Sequence, residues 1–191
     1  MRGLTGCGPS GTSRNRAVLW PHGFTGLMMR RRGGYVRDMN DAEVASLLAG
    51  CAQFPYPGKW QDSPFAERTV GGVRYALVAV DPGLSALALR RDDGSLWCMP
   101  EDGAPQLVNS GVEAFVVFNR AYAEAAAEAA DYEGPGDGLD DDEAVDLAEQ
   151  AADALTEALL ERFGAVDTEA VADENSYWHI AAEELGYGMS V

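Results

Sequence analysis

The sequence predicts an α+β domain in which an antiparallel β meander of about five strands is packed by C-terminal helices and preceded by a short N-terminal helix. Two observations predict it. Between residues 67 and 108, short apolar runs alternate with the turn signals Gly71-Gly72, Asp81-Pro82-Gly83 and Asp92-Asp93-Gly94, and connections this short leave no room for parallel crossovers. From residue 107 onward the period changes, and apolar residues recur every three or four positions in long Ala-rich stretches, the pattern of amphipathic helices.

Taken in order, Asn40 followed three residues later by Glu43 is a capping signal, and Val44, Leu47, Leu48 and Cys51 form one apolar face of a short helix that ends near Gly50. Phe54-Pro55-Tyr56-Pro57-Gly58 breaks it, after which Trp60 and Phe65 anchor an irregular segment to the core. Strands are expected over residues 67–70, 73–80, 84–90, 95–99 and 106–108. In residues 84–90 apolar side chains fall on both faces, so both are covered. Ser110 with Glu113 reads as a capping box starting a helix at Gly111, which turns Val112, Phe115, Val116, Asn119, Tyr122, Ala123 and Ala126 toward the sheet. A Gly-, Pro- and Asp-rich linker leads to a second helix over residues 141–163, with Ala144, Ala148, Ala151, Leu155, Leu159 and Phe163 as its apolar stripe and Gly164 just past its end. A last helix, capped by Asn175 or Ser176, carries Tyr177, Trp178, Ile180, Ala181 and Leu185 and stops at Gly186.

Charge narrows the function. The chain of 191 residues carries a net charge of -17, which repels nucleic-acid phosphates and anionic membranes and steers basic partners inward. The distribution is broken: residues 1–37 hold seven arginines and no acid. Residues 1–38 therefore read either as a basic disordered arm or as translated upstream sequence ahead of a start at Met28, Met29 or Met39, with residues 39–191 as a single domain. No apolar run suits a secretory signal or a membrane span, and Cys7, Cys51 and Cys98 are scattered and odd in number, so a reducing cytoplasm is the expected location.

The candidates for chemistry fail on context. Residues 6–11 match G-x-G-x-x-G but follow no strand, and the P-loop lysine is replaced by Thr12. His22 and His179 are the only histidines, with no further ligand or nucleophile at useful spacing, and the acidic run from Asp137 to Glu143 lacks the EF-hand pattern. The reading contains no catalytic residue, no metal and no cofactor. Two features suit a protein partner instead. Asp142, Asp146, Glu149, Asp153 and Glu157 fall in one row along the second long helix, and Trp97 follows the turn at Asp92 and Asp93, where a half-exposed aromatic would serve as a contact residue.

The strings LALRRDDGSLW (residues 87–97), LVNSGVEAFVVF (107–118) and SYWHIAAEELGYGM (176–189) resemble the SUKH superfamily of bacterial immunity proteins, in particular its fourth subgroup, common in actinobacteria. The resemblance covers residues 73–189 and departs at the front, where residues 50–55 replace a Gly-Leu-Pro-like turn. It implies an α+β domain without catalysis that binds and blocks a cognate toxin, often a nuclease or a nucleic-acid deaminase with a basic active site. On that expectation the acidic row steers the toxin while Trp97, Asp92 and Asp93 make contact. The alternative is an acidic regulatory or scaffolding adaptor, which the superfamily also contains; a small hydrolase built on His179 ranks behind both. The sequence assigns no oligomeric state.

Overall fold

Helix α1 (Asp41–Leu48) starts on a reciprocal capping box: Glu43 N donates to Asn40 Oδ1 at 3.0 Å and Asn40 N donates to Glu43 Oε2 at 3.3 Å. Val44, Leu48 and Cys51 turn inward, whereas Leu47, expected on the same face, is 38% exposed. The computed structural model describes residues 40–51, 58–136, 138 and 140–188, all within a unit spanning Tyr35–Val191. The basic arm, the glycine motif at residues 6–11, His22 and the Phe54 to Pro57 break lie outside the described residues.

The chain then enters a sheet of six strands: β1 (Lys59–Trp60), β2 (Glu67–Val70), β3 (Val73–Asp81), β4 (Ser85–Arg90), β5 (Leu96–Pro100) and β6 (Gln106–Asn109). All pairs are antiparallel, and β3 to β6 run as a meander of sequence neighbours. Gly71 and Gly72 have φ of 58° and 83°, the pair of positive values a two-residue hairpin requires, and they set Val70 opposite Val73. The strand missing from the sequence reading is β1: two residues carry no periodicity, yet Lys59 and Trp60 pair with Val80 and Ala79 on the same edge of β3 that β2 occupies further along.

Both faces of β4 are covered, as its composition predicts, with Ala86, Leu87, Ala88 and Leu89 all buried. Leu84, expected at its start, is 66% exposed and lies in the turn. Leu87, Leu89, Ala76, Val78, Leu96 and Val108 face the helices and belong to the main core. Tyr75, Ala88 and Met99, with Val73, Leu77 and Trp97 against them, form a smaller cluster on the other face.

Three helices complete the domain: α2 (Val112–Ala130), α3 (Asp141–Val166) and α4 (Tyr177–Tyr187). The Ser110 capping box does not form. Gly111 is the N-cap of α2 and has no side-chain cap, because the Ser110 amide is drawn instead to Asp167 Oδ2 at 2.7 Å. Helix α2 also buries more than its sheet-facing side, since Phe118 stacks on Phe163 of α3 with ring centroids 4.2 Å apart. Asp140 caps α3 by accepting from Glu143 N at 2.9 Å. Gly164 lies inside α3 rather than past its end, and Asp167 is the C-cap. Ser176 is the N-cap of α4, and its hydroxyl makes no capping bond. Gly186 does not stop that helix, which continues through Tyr187; its lack of a side chain lets α4 pack closely on α3.

One ion-pair cluster fastens α1 to the sheet. Asp41 Oδ1 accepts from Arg91 Nη1 at 2.6 Å, Asp41 Oδ2 accepts from Phe65 N at 2.8 Å, and Arg91 Nε reaches Glu67 Oε1 at 3.1 Å. The Asp41 and Arg91 side chains are only 19% and 14% exposed. The Arg91 hydrogen bond, opposed by partial burial and aided by the Phe65 amide, holds the Asp41 carboxyl below its usual 3.8. A depressed carboxylate stabilises the fold above its unfolded pKa and loses that contribution as pH falls through its folded value. Asp41→Asn is therefore expected to cost about 1–2 kcal/mol at pH 7. The gap from wild type should narrow as pH drops below about 4, read by urea unfolding at each pH. A gap that stays constant into that range would refute the assignment.

Candidate partner-binding surfaces

The long acidic helix is positioned by a buried polar junction. Trp178 of α4 is fully buried against Phe115, Phe118, Tyr122, Phe163 and Tyr177. A buried indole N–H needs an acceptor, and Trp178 Nε1 donates to Asn109 Oδ1 at 2.8 Å. Asn109, at the end of β6, donates in turn from Nδ2 to Asp167 Oδ2 at 3.3 Å. Asn109 is 0% and Asp167 5% exposed. The last strand, the start of α2, the end of α3 and the core of α4 thus meet at one set of hydrogen bonds.

Helix α4 also lies very close to α3. Thr156 Oγ1 donates to Ala182 O at 3.2 Å, and a Cβ on Gly186 would stand 2.4 Å from Thr156 Oγ1 and 2.8 Å from Ala152 O. With α4 and α2 on its apolar side, α3 turns its polar side outward. Asp142, Asp146, Glu149, Asp153 and Glu157 are all exposed. The helix carries eight carboxylates against a single base, Arg162, and that base is bridged to Glu124 of α2 at 2.7 Å. Val145 and Leu147 add exposed apolar surface near its start, at 53% and 43%.

The β4–β5 turn forms where the sequence places it, and Trp97 is half-buried beside it. Asp93 is occupied within the turn: its Oδ1 accepts from Ser95 N at 3.0 Å and Ser95 Oγ at 2.6 Å, and its Oδ2 pairs with Arg90. Partial burial opposes its ionisation, but the two Ser95 bonds and the Arg90 charge together hold its carboxyl below the usual range. Trp97 is half-buried, donates from Nε1 to Ser95 Oγ at 2.7 Å and lies under the Arg90 guanidinium, 5.5 Å from the ring centroid. Asp92 is exposed. The turn and the acidic row are not brought together, since α3 packs on α2 and α4 rather than on β4 or β5.

His179 is half-buried on α4 with its Nε2 3.5 Å from the Glu183 Oε1 carboxylate oxygen. Burial raises the thiols of Cys51 and Cys98, the wrong direction for an attacking thiolate. Among the described residues no group of three or more His, Cys, Asp or Glu is placed to hold a metal ion, and no helix is long and apolar enough to cross a membrane. Sequence reasoning missed the Asn109–Asp167–Trp178 junction and the Asp41–Arg91 clamp. Each joins residues 50 to 69 positions apart, a separation that no local pattern encodes.

No curated protein and no solved structure gives a match. A family model described as SUKH-4 immunity protein matches residues 71–184. That match runs from the β2–β3 turn through the meander, the acidic helix and the Trp178 junction into α4, so the chain belongs to the SUKH-4 immunity protein family.

Proposed function

We propose that the chain protects the cell that makes it by binding a cognate polymorphic toxin one to one in the cytoplasm and occluding its active site, without chemistry of its own. The observation that carries the reading is the match of residues 71–184 to an immunity family. The exposed acidic row on α3 suggests the toxin's character. A nuclease or nucleic-acid deaminase needs a basic cleft to hold phosphate, and a chain of net charge -17 meets such a cleft with complementary potential while repelling nucleic acid and anionic membrane. In this reading Asp142, Asp146, Glu149, Asp153 and Glu157 steer the encounter, and Asp92 and Trp97, on the turn that Asp93 fixes, contribute contact.

Two measurements test it. Affinity capture with the tagged chain, from cells expressing the toxin-like gene nearest to its own, is expected to recover one basic toxin domain at near-equal stoichiometry; a folded bait that recovers no such domain would end the reading. Reversing the five acidic-row residues to Lys is then expected to slow association about tenfold or more at low salt and to flatten its salt dependence. Unchanged association kinetics would remove α3 from the steering role.

A further inference from the structure

The geometry points to an arginine-receiving cleft between α1 and the segment that follows β1, a site for one basic side chain of the partner. This inference rests on the immunity reading for the partner's identity, but not for the chemistry of the cleft. The cleft measures about 430 Å³, the small end of the range for ligand pockets, which suits one long side chain better than a folded element. Leu48, Phe65 and Val78 supply an apolar floor and the Trp60 indole a flat aromatic wall, held by edge contact with Phe115 at 6.4 Å.

The rim sets the sign. Asp62 is exposed and is the one charged residue among the described residues that line the cleft. Gln61 donates from Nε2 to Lys59 O at 2.7 Å and keeps both its carbonyl oxygen and a second N–H for a ligand. An apolar floor, an aromatic face and the Asp62 carboxylate at the mouth select a side chain with an aliphatic stem and a planar cationic head. Arginine fits each part: the stem lies on the floor, the guanidinium stacks on an indole, and its forked donors match a carboxylate. Among the described lining residues only Val78 falls within the family-matched region 71–184. The cleft therefore belongs to the portion of the chain outside the shared family pattern.

The test uses the full chain, isotope-labelled for NMR and titrated with Nα-acetyl-arginine amide, and in parallel with the norleucine analogue, which keeps the stem and lacks the charge. The expected result is a saturable shift of the Trp60 indole N–H with the arginine probe. Affinity should fall about fivefold or more for the norleucine probe, and equally for the arginine probe on Asp62→Asn. Asp62 is exposed, so that variant leaves the fold intact. No shift, equal binding of the two probes, or indifference to Asp62→Asn would each overturn the site. Because this titration contains no toxin, it fails or succeeds independently of the immunity reading. With a captured toxin in hand, Asp62→Arg is expected to weaken its binding at least about tenfold; wild-type affinity in that variant would overturn the partner assignment and leave the immunity reading standing.

Discussion

Asn109→Ala is expected to destabilise the protein by about 3–5 kcal/mol, more than any other single change considered for this chain. The side chain is small, so lost volume is a minor part of the effect. What remains behind decides it: a fully buried Trp178 Nε1–H without its acceptor, and a buried Asp167 carboxylate without one of its donors. Each orphaned group costs about 1–3 kcal/mol. Water cannot readily repair the loss, because Trp178 is 0% exposed and enclosed by five aromatic rings. Asn109→Asp keeps an acceptor for the indole but sets a second carboxylate against Asp167, and a loss of similar size is expected. The double variant Asn109→Ala with Trp178→Phe removes donor and acceptor together and should cost less than the sum of its single changes. Urea unfolding followed by far-UV circular dichroism reads all four proteins; a loss below about 1 kcal/mol for Asn109→Ala would mean that the junction does not carry the packing assigned to it.

Gly186→Val is expected to cost about 3 kcal/mol, near the upper end for overpacking. Two effects oppose each other here. Replacing glycine in a helix ordinarily gains up to about 1 kcal/mol by limiting the unfolded chain. Against this, the new Cβ would meet Thr156 Oγ1 at 2.4 Å and Ala152 O at 2.8 Å. The threonine can rotate away only by giving up its bond to Ala182 O, and the Ala152 carbonyl is backbone and cannot rotate at all. Clash therefore outweighs propensity, and α4 must shift from α3. Adding Thr156→Ala relieves the first contact and not the second, so it should restore only part of the lost stability in thermal or urea unfolding. Full recovery in the double variant would show that the helix backbones are not in close contact at this point.

Local chemistry was legible in the sequence wherever one short string determined the outcome. The Asn40 capping box, the Gly71-Gly72 hairpin, the two-sided burial of β4 and the acidic exterior of α3 each follow from residues within a few positions of one another. Two of the errors share a physical cause. Ser110 and Gly186 carry the local signs of a cap and a stop, and in both cases a distant partner overrules them: Asp167 takes the Ser110 amide, and α3 requires the absence of a side chain at Gly186. The same holds for the candidate surfaces. The acidic row was readable from helical periodicity, whereas the cleft beside Trp60 depends on how separate segments meet.

The acidic face of α3 also bears on the protein when no partner is present. Asp142 and Asp146, and Glu149, Asp153, Glu157 and Glu161, succeed one another at four-residue spacing, so each stands one turn from a like charge and destabilises the helix by about 0.2–0.5 kcal/mol per pair. The burial of Leu159 and Phe163 on the opposite side keeps the helix in place despite this. The free chain is in this sense held under internal repulsion, and a basic surface laid along α3 relieves it. In the proposed complex, part of the driving force for association would then come from strain already present in the unbound protein, before any new contact is counted.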